Sequence, residues 1–251
     1  MDNLKRELLN GLSANPPYIP AWYRYDEEGS RLNDICMEQC KYYYFHRFER
    51  NILIDIITEL TEYLKDSRMV VDLGSGNATK TMLILDKLLE THESLTYVPV
   101  DISKVDDKLV ITFDVTDASR KDIIELSYLD PEGYSEKFYL NSIHRLNREM
   151  NGNIDVSKFE IKNELVANSK SDNCSYVNVW IEAIENCEVN IGKLDLTRKI
   201  LKGERLYLNE EGGISSKHTI AQFEYLLNKA SLGMEKYWTN EHVGVVLVNR
   251  Q

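Results

Sequence analysis

The sequence predicts an α/β sheet carrying a nucleotide site, followed by an α+β part rich in hairpins. Three observations predict it. A short apolar run, Met69 to Leu73, ends in Gly74-Ser75-Gly76 and resumes as a helical pattern. The next apolar run, from Thr96 to Ile102, carries an acid, Asp101, near its end. Beyond residue 158 the periodicity shifts to two, clearest in Tyr176-Val177-Asn178-Val179-Trp180-Ile181-Glu182-Ala183.

The elements follow in order. Residues 4–12 form an amphipathic helix, and Asn15-Pro16-Pro17-Tyr18-Ile19-Pro20 can only be an extended connection. An aromatic-acidic stretch, Trp22 to Ser30, comes next. From about Tyr44 to Lys65, Phe48, Ile52, Leu53, Ile56, Ile57, Leu60 and Leu64 recur at helical spacing, so a long helix is predicted. Met69–Leu73 reads as a buried parallel strand, and residues 79–91 as a helix burying Met82, Leu83, Leu85, Leu88 and Leu89. Lys108 to Val115 gives a third strand ending at Asp114, feeding a helix with Ile123, Ile124 and Leu126. Pro131 to Asn151 is a long polar helix with Phe138, Leu140, Ile143 and Leu146 on its apolar side. Turn formers at Asn186, Gly192 and Gly203 cut the stretch from Phe159 to Tyr207 into antiparallel strands. A helix at about 217–231 and strands at 234–238 and 243–248 close the chain.

Composition narrows the function classes. The 251 residues suffice for one large domain, or for a core plus a smaller second one. A net charge of −11 leaves no basic surplus to neutralise phosphates, which argues against a nucleic-acid partner. The first seven residues lack the apolar centre of a signal peptide, and no apolar run approaches the roughly 18 residues that cross a bilayer. Cys36, Cys40, Cys174 and Cys187 are irregularly spaced and read as reduced, buried thiols. A cytoplasmic monomer without membrane contact is the expectation.

The glycine turn carries the chemistry. In Asp72-Leu73-Gly74-Ser75-Gly76 the first glycine permits a tight turn and the second lets a ligand approach the backbone. The helix that follows offers free N–H groups. Asp101, one strand–helix–strand step later, is placed to accept hydrogen bonds from two ribose hydroxyls. Three ligands compete with a bare structural turn. A dinucleotide wants G-x-G-x-x-G, and a P-loop wants G-x-x-x-x-G-K-[ST]; both find Thr79 where glycine belongs. S-adenosylmethionine (SAM) carries no phosphate, tolerates a looser turn and suits the leading Asp72. It is the favoured ligand.

Several segments read together resemble the histidine-specific Nα-methyltransferases of the ergothioneine pathway. They are Trp22-Tyr23-Arg24-Tyr25-Asp26 with Gly29-Ser30-Arg31-Leu32, the pair Tyr43-Tyr44 with Arg47 and Glu49, Asp72 to Thr81, and Tyr97 to Ser103. Tyr128-Leu129-Asp130, Phe138, Asn141, Asn147-Arg148-Glu149 and Ser215-Ser216-Lys217 match in order. The resemblance implies a Rossmann-like SAM-dependent methyltransferase sheet with an additional α+β substrate domain. It places the SAM-binding core at 52–130 and the substrate domain at 1–51 and 131–251. It implies a SAM-dependent methyltransferase acting on the α-amine of an amino acid, histidine or a related one. Tyr25, Gly74, Lys80 and Asp101 would contact SAM, and Tyr44, Tyr128 and Ser215 would line the amino-acid pocket. The faces of Tyr44 and Tyr128 could favour the sulfonium and the growing ammonium charge by cation–π attraction. No metal is implied.

Two departures stand out. The family's sheet continues after its second strand with about two more βα units, roughly 60 residues. Here Asp101-Ile102-Ser103-Lys104 passes almost directly into Val105-Asp106-Asp107-Lys108, so the core is expected to be abridged near 103–108. A truncated or splice form, impaired or acting as a binding or regulatory protein, is the alternative reading. Second, histidine-specific members place a glutamate two residues before the serine matched to Ser215. Gly213 stands there, so either Glu210 or Glu211 substitutes or histidine is not the substrate.

Overall fold

The computed structural model describes residues 3–73, 78–99, 109–116, 118–170 and 172–250. They form a mixed α/β protein that divides into two compact units, 1–44 with 116–217 and 45–115 with 218–251. The glycine turn at 74–77, Asp101 and the junction at 103–108 lie outside the described residues.

In the unit built from 45–115 and 218–251, helix α3 (Phe45–Tyr63) takes the predicted place. Strand β1 (Met69–Asp72), helix α4 (Thr79–Leu89) and strand β2 (Thr96–Pro99) follow. β1 and β2 run parallel in the register Met69↔Thr96 to Asp72↔Pro99, so the two strand ends lie side by side. Strand β3 (Leu109–Asp114) belongs to another sheet, of order β10-β11-β3, with β10 at Leu232–Thr239 and β11 at Val243–Arg250. Both its pairings are antiparallel. β11 is apolar on both faces because both are covered. Val243, Val245 and Leu247 pack with Ile52, Leu53, Ile56 and Leu60 of α3 and with Leu88 of α4. Val246 and Val248 pack with Phe113 and with Phe223 and Leu227 of the helix at Ile220–Lys229. Each such buried side chain contributes about 1.5–3 kcal/mol against exposure. Residues 218–251 join this unit through the pairing of β11 with β3.

Two burial expectations are corrected here. β1 is half-buried, with Met69 56% and neighbouring Leu73 59% exposed. On α4, Leu85 and Leu88 are buried, but Met82 is 44% and Leu89 48% exposed. The physical reason is a shortage of neighbours: among the described residues β1 pairs with β2 alone.

The other unit opens with helix α1 (Asn3–Ser13) and a 3-10 turn at Ala21–Arg24. Helix α2 (Glu27–Gln39), which the apolar spacing did not announce, comes next. Its start follows from capping: the Asp26 side chain accepts from Gly29 N–H, and Glu27 and Glu28 face the positive helix end. Helices α5 (Lys121–Tyr128) and α6 (Tyr134–Met150) match the predicted pair, although Ile123 is 51% exposed while Ile124 is fully buried. Strands β4 (Phe159–Val166), β5 (Ser175–Ala183) and β8 (Arg205–Tyr207) pair antiparallel, and β9 (Ser215–Lys217) also pairs with β5. β6 (Cys187–Ile191) and β7 (Leu196–Ile200) form a separate hairpin. Val177, Val179 and Ile181 of β5 are fully buried, as the period-two pattern predicted. The cysteines are free thiols, Cys36 and Cys40 buried and Cys174 and Cys187 half-buried.

Candidate active site

The nucleotide half of the candidate site is built on the ends of β1 and β2. The Asp72 carboxylate, at the last residue of β1, accepts from the Tyr97 hydroxyl at 3.0 Å and from the Thr81 hydroxyl of α4. One side chain thereby ties both strands to the start of the helix. Ala78, at φ 58°, turns the chain through left-handed backbone just before α4 begins.

Lys80, in the first turn of α4, donates to Glu49 Oε2 at 2.6 Å. Glu49 is buried on α3, and its other carboxylate oxygen accepts from the Thr112 hydroxyl of β3. A buried carboxylate needs such partners, because leaving it unpaired costs several kcal/mol. Lys80 holds the place of a P-loop lysine. With its ammonium committed to Glu49, the cation that a phosphate would need is engaged elsewhere. A ligand without phosphate fits this frame, and SAM is one. Glu49 was matched by resemblance but not assigned a role. Its sequence signal was available, since an acid three and four residues before Ile52 and Leu53 sits on the apolar stripe of α3.

The residues implied for the amino-acid pocket fall in the other unit. Ser215 and Lys217 lie two apart on β9 and share one face of the strand. Lys217 is 1% exposed. Its Nζ donates to the Tyr128 hydroxyl at 2.6 Å and to Ser215 Oγ at 2.8 Å, and lies 4.8 Å from the Tyr128 ring centroid. Tyr128 and Ser215 are thus brought together by a residue that the resemblance matched but gave no role. Tyr44 is buried, with the Arg120 guanidinium 5.2 Å from its ring. Tyr25 is 51% exposed and meets the Phe138 ring edge-on at 5.3 Å. The adjacent Arg24 is buried between Phe138 and Tyr139, and burial lowers its pKa from the usual guanidinium value.

The segment before β9 is closely packed at Gly213, where the family places its glutamate. Gly213 has φ +77°, and a Cβ there would lie 2.4 Å from the Val177 carbonyl oxygen. No side chain fits at this position. The Glu210 carboxylate accepts from Ala21 N–H at 3.0 Å, and Glu211 is exposed.

The comparison with known families bears on these networks. A family model described as "Histidine-specific methyltransferase, SAM-dependent" matches residues 4–106 and 104–250. The chain belongs to that family. It is an enzyme family whose cofactor is SAM, in keeping with the phosphate-free frame around Asp72 and Lys80. The chain is similar to the histidine N-alpha-methyltransferase of Mycobacterium tuberculosis, with 24% identity covering 95% of this chain and 91% of that protein. It is also similar to the N-methyltransferase dtpB of Aspergillus flavus, at 27% identity over 41% of this chain. A third relative is the 4-dimethylallyltryptophan N-methyltransferase easF of Trichophyton verrucosum, at 28% identity, also over 41% of this chain. The matched parts span 29% and 30% of those two fungal proteins. No helix among the described residues is long and apolar enough to cross a membrane.

Proposed function

We propose that the chain is a SAM-dependent N-methyltransferase acting on the α-amine of an amino acid, histidine or a close relative. The observation that carries this reading is the meeting of Tyr128 and Ser215, two residues implied for the amino-acid pocket, on one buried lysine. Bound SAM supplies a methyl group on a sulfonium, open to in-line attack by a neutral amine. The chain's residues position and desolvate. Asp101 accepts from the ribose hydroxyls, Gly74 admits the nucleoside to the backbone and Tyr25 covers it. Lys80, held by Glu49 at the start of α4, contacts the nucleoside from there. The hydroxyls of Tyr128 and Ser215 orient the amino acid, and Tyr44 supplies an aromatic wall that favours the cationic product. The unit of 45–115 and 218–251 is proposed as the SAM-binding part, and the other unit as the substrate part.

We also read the methyltransferase sheet as abridged near 103–108. The family match breaks into two blocks that meet at 104–106. The alignment with the mycobacterial enzyme runs over 307 positions, more than the 251 residues of this chain, so that relative carries residues this chain lacks. The exposure of Met69, Leu73, Met82 and Leu89 fits a sheet short of central strands.

Calorimetric titration with SAM and with S-adenosylhomocysteine, followed by a methyl-transfer assay against a panel of amino acids including histidine, tests the function. Saturable binding of both nucleosides and methylation of at least one α-amine are expected. Failure of both nucleosides to bind would sink the reading.

Restoring the family's glutamate should not improve histidine recognition. The Gly213→Glu variant is expected to lose about 2 kcal/mol of stability in urea unfolding, through left-handed backbone and the clash with Val177. Tighter histidine binding at unchanged stability would contradict it.

A further inference from the structure

We propose that Cys40, Asp130 and Glu132 bind one zinc ion, which clips the end of α2 to the turn between α5 and α6. The site lies apart from the methyl-transfer chemistry and does not depend on the proposed function.

Asp130-Pro131-Glu132-Gly133 is a β-turn, closed by Gly133 N–H donating to the Asp130 carbonyl at 3.0 Å. It holds two carboxylates close together. Cys40, the C-terminal cap of α2, brings a thiol to them. One donor atom from each of the three residues lies within 4.8 Å of the other two. Zinc bonds sulfur at about 2.3 Å and carboxylate oxygen at about 2.0–2.2 Å, which sets tetrahedral ligands about 3.5 Å apart. Closing on an ion therefore takes shifts of about 1 Å, within the reach of side-chain rotation.

The surroundings prepare the site. Cys40 is 2% and Asp130 4% exposed, so two donors are already out of water, while exposed Glu132 stands at the mouth where an ion enters. Asp130 accepts from Tyr134 N–H at 3.2 Å on one oxygen and from Ser135 N–H at 2.8 Å on the other. These bonds fix the carboxylate, and each oxygen keeps a second lone pair for a metal. Capping α6 accounts for Asp130 alone; it gives no reason for a thiol and a second carboxylate to converge there. Lys41 Nζ lies 3.0 Å from the Glu132 carboxylate, and this lysine is exposed enough to turn out to solvent as the ion arrives.

The donor set selects the metal. Burial raises the Cys40 thiol pKa, while the backbone N–H groups of Tyr43 and Tyr42 favour its thiolate. Binding therefore releases the thiol proton to solvent and leaves the sulfur as a thiolate on the ion. One sulfur and two carboxylates suit zinc, with water in the fourth tetrahedral position. Magnesium and calcium want six or more oxygens and do not fit. Cys36, whose thiol meets that of Cys40 and lies 3.6 Å from Ser135 Oγ, stands behind the site and is not assigned as a ligand.

The test titrates the reduced, chelator-treated chain with Zn²⁺ by calorimetry and with Co²⁺ by absorption spectroscopy. One equivalent of zinc is expected to bind at micromolar affinity or tighter, undisturbed by excess Mg²⁺. Co²⁺ should give the visible bands of a tetrahedral ion together with a thiolate charge-transfer band. Cys40→Ala is expected to abolish the charge-transfer band and weaken zinc about 100-fold or more. Glu132→Gln, at an exposed position that leaves the fold intact, should keep that band and weaken zinc about tenfold. Cys36→Ala should bind within about threefold of the parent. No binding by the parent chain overturns the site, as does unchanged affinity in Glu132→Gln. An equal loss in Cys36→Ala and Cys40→Ala with none in Glu132→Gln would place the metal on the thiol pair and overturn the assigned ligands. Should Cys40→Ala fail to fold, the cobalt charge-transfer band of the parent and the Glu132→Gln titration decide the matter alone.

Discussion

Gly29→Ala is expected to cost about 3 kcal/mol or more, a large part of the 5–15 kcal/mol that holds an ordinary domain together. The position is crowded by backbone. A Cβ on Gly29 would lie 1.8 Å from the Arg24 carbonyl oxygen and 2.7 Å from Asn141 Nδ2. Neither neighbour can step aside cheaply. Asn141 Nδ2 donates to Arg24 O at 2.7 Å and to Asp26 Oδ1 at 2.8 Å, and the same Asp26 oxygen caps α2 through Gly29 N–H. Moving α2 outward by the width of a methyl group would break the cap and leave a buried amide unpartnered, adding about 1–3 kcal/mol to the steric cost. Urea unfolding monitored by circular dichroism measures the loss. The neighbouring exposed Ser30, changed to alanine, should move stability by no more than about 0.5 kcal/mol. Equal stability of Gly29→Ala and the parent chain would show that α2 and α6 do not meet as described.

This glycine illustrates how much of the molecule was legible in the sequence. Gly29 and Asn141 stood out only as members of matched motifs; their meaning is a contact between residues 112 positions apart, which no local pattern reports. Periodicity located α3, α6 and β5 because each has a single buried face of sufficient length. It missed α2, whose start depends on Asp26 and whose apolar residues are sparse. It overstated the burial of β1 and α4, since an apolar run shows what a strand can bury but not whether neighbours exist to cover it. Strand order was beyond its reach: the pairing of β11 with β3 joins residues more than a hundred apart. Within the site, Tyr128 and Ser215 were legible by resemblance. The lysine that joins them stood in the same matched segment, but the sequence reading placed residue 217 at the start of a helix, and a lysine there reads as solvated until its burial is known.

Asp101→Ala is expected to weaken SAM binding about 100-fold, close to 3 kcal/mol. The residue follows β2 by two positions, and β2 ends beside the last residue of β1. In an open parallel sheet, ligands bind outside the carboxyl ends of the strands. A carboxylate there can accept from both ribose hydroxyls, and hydrogen bonds to a charged acceptor contribute about 1.5–3 kcal/mol each. Alanine removes the acceptor and leaves the hydroxyls to weaker partners. Asp101→Asn retains one carbonyl oxygen and should fall between the two. S-adenosylhomocysteine shares the ribose, so its affinity should drop by the same factor as that of SAM. This separates a ribose contact from an effect on the sulfonium, because loss of a charge contact to the sulfonium would weaken SAM alone. Unfolding of the ligand-free variant should match the parent, which excludes a purely structural cause. If calorimetry gave the same SAM affinity for Asp101→Ala as for the parent, the nucleoside would have to be held without this carboxylate. The frame of Asp72, Thr81 and Tyr97 would then be the place to seek the ribose.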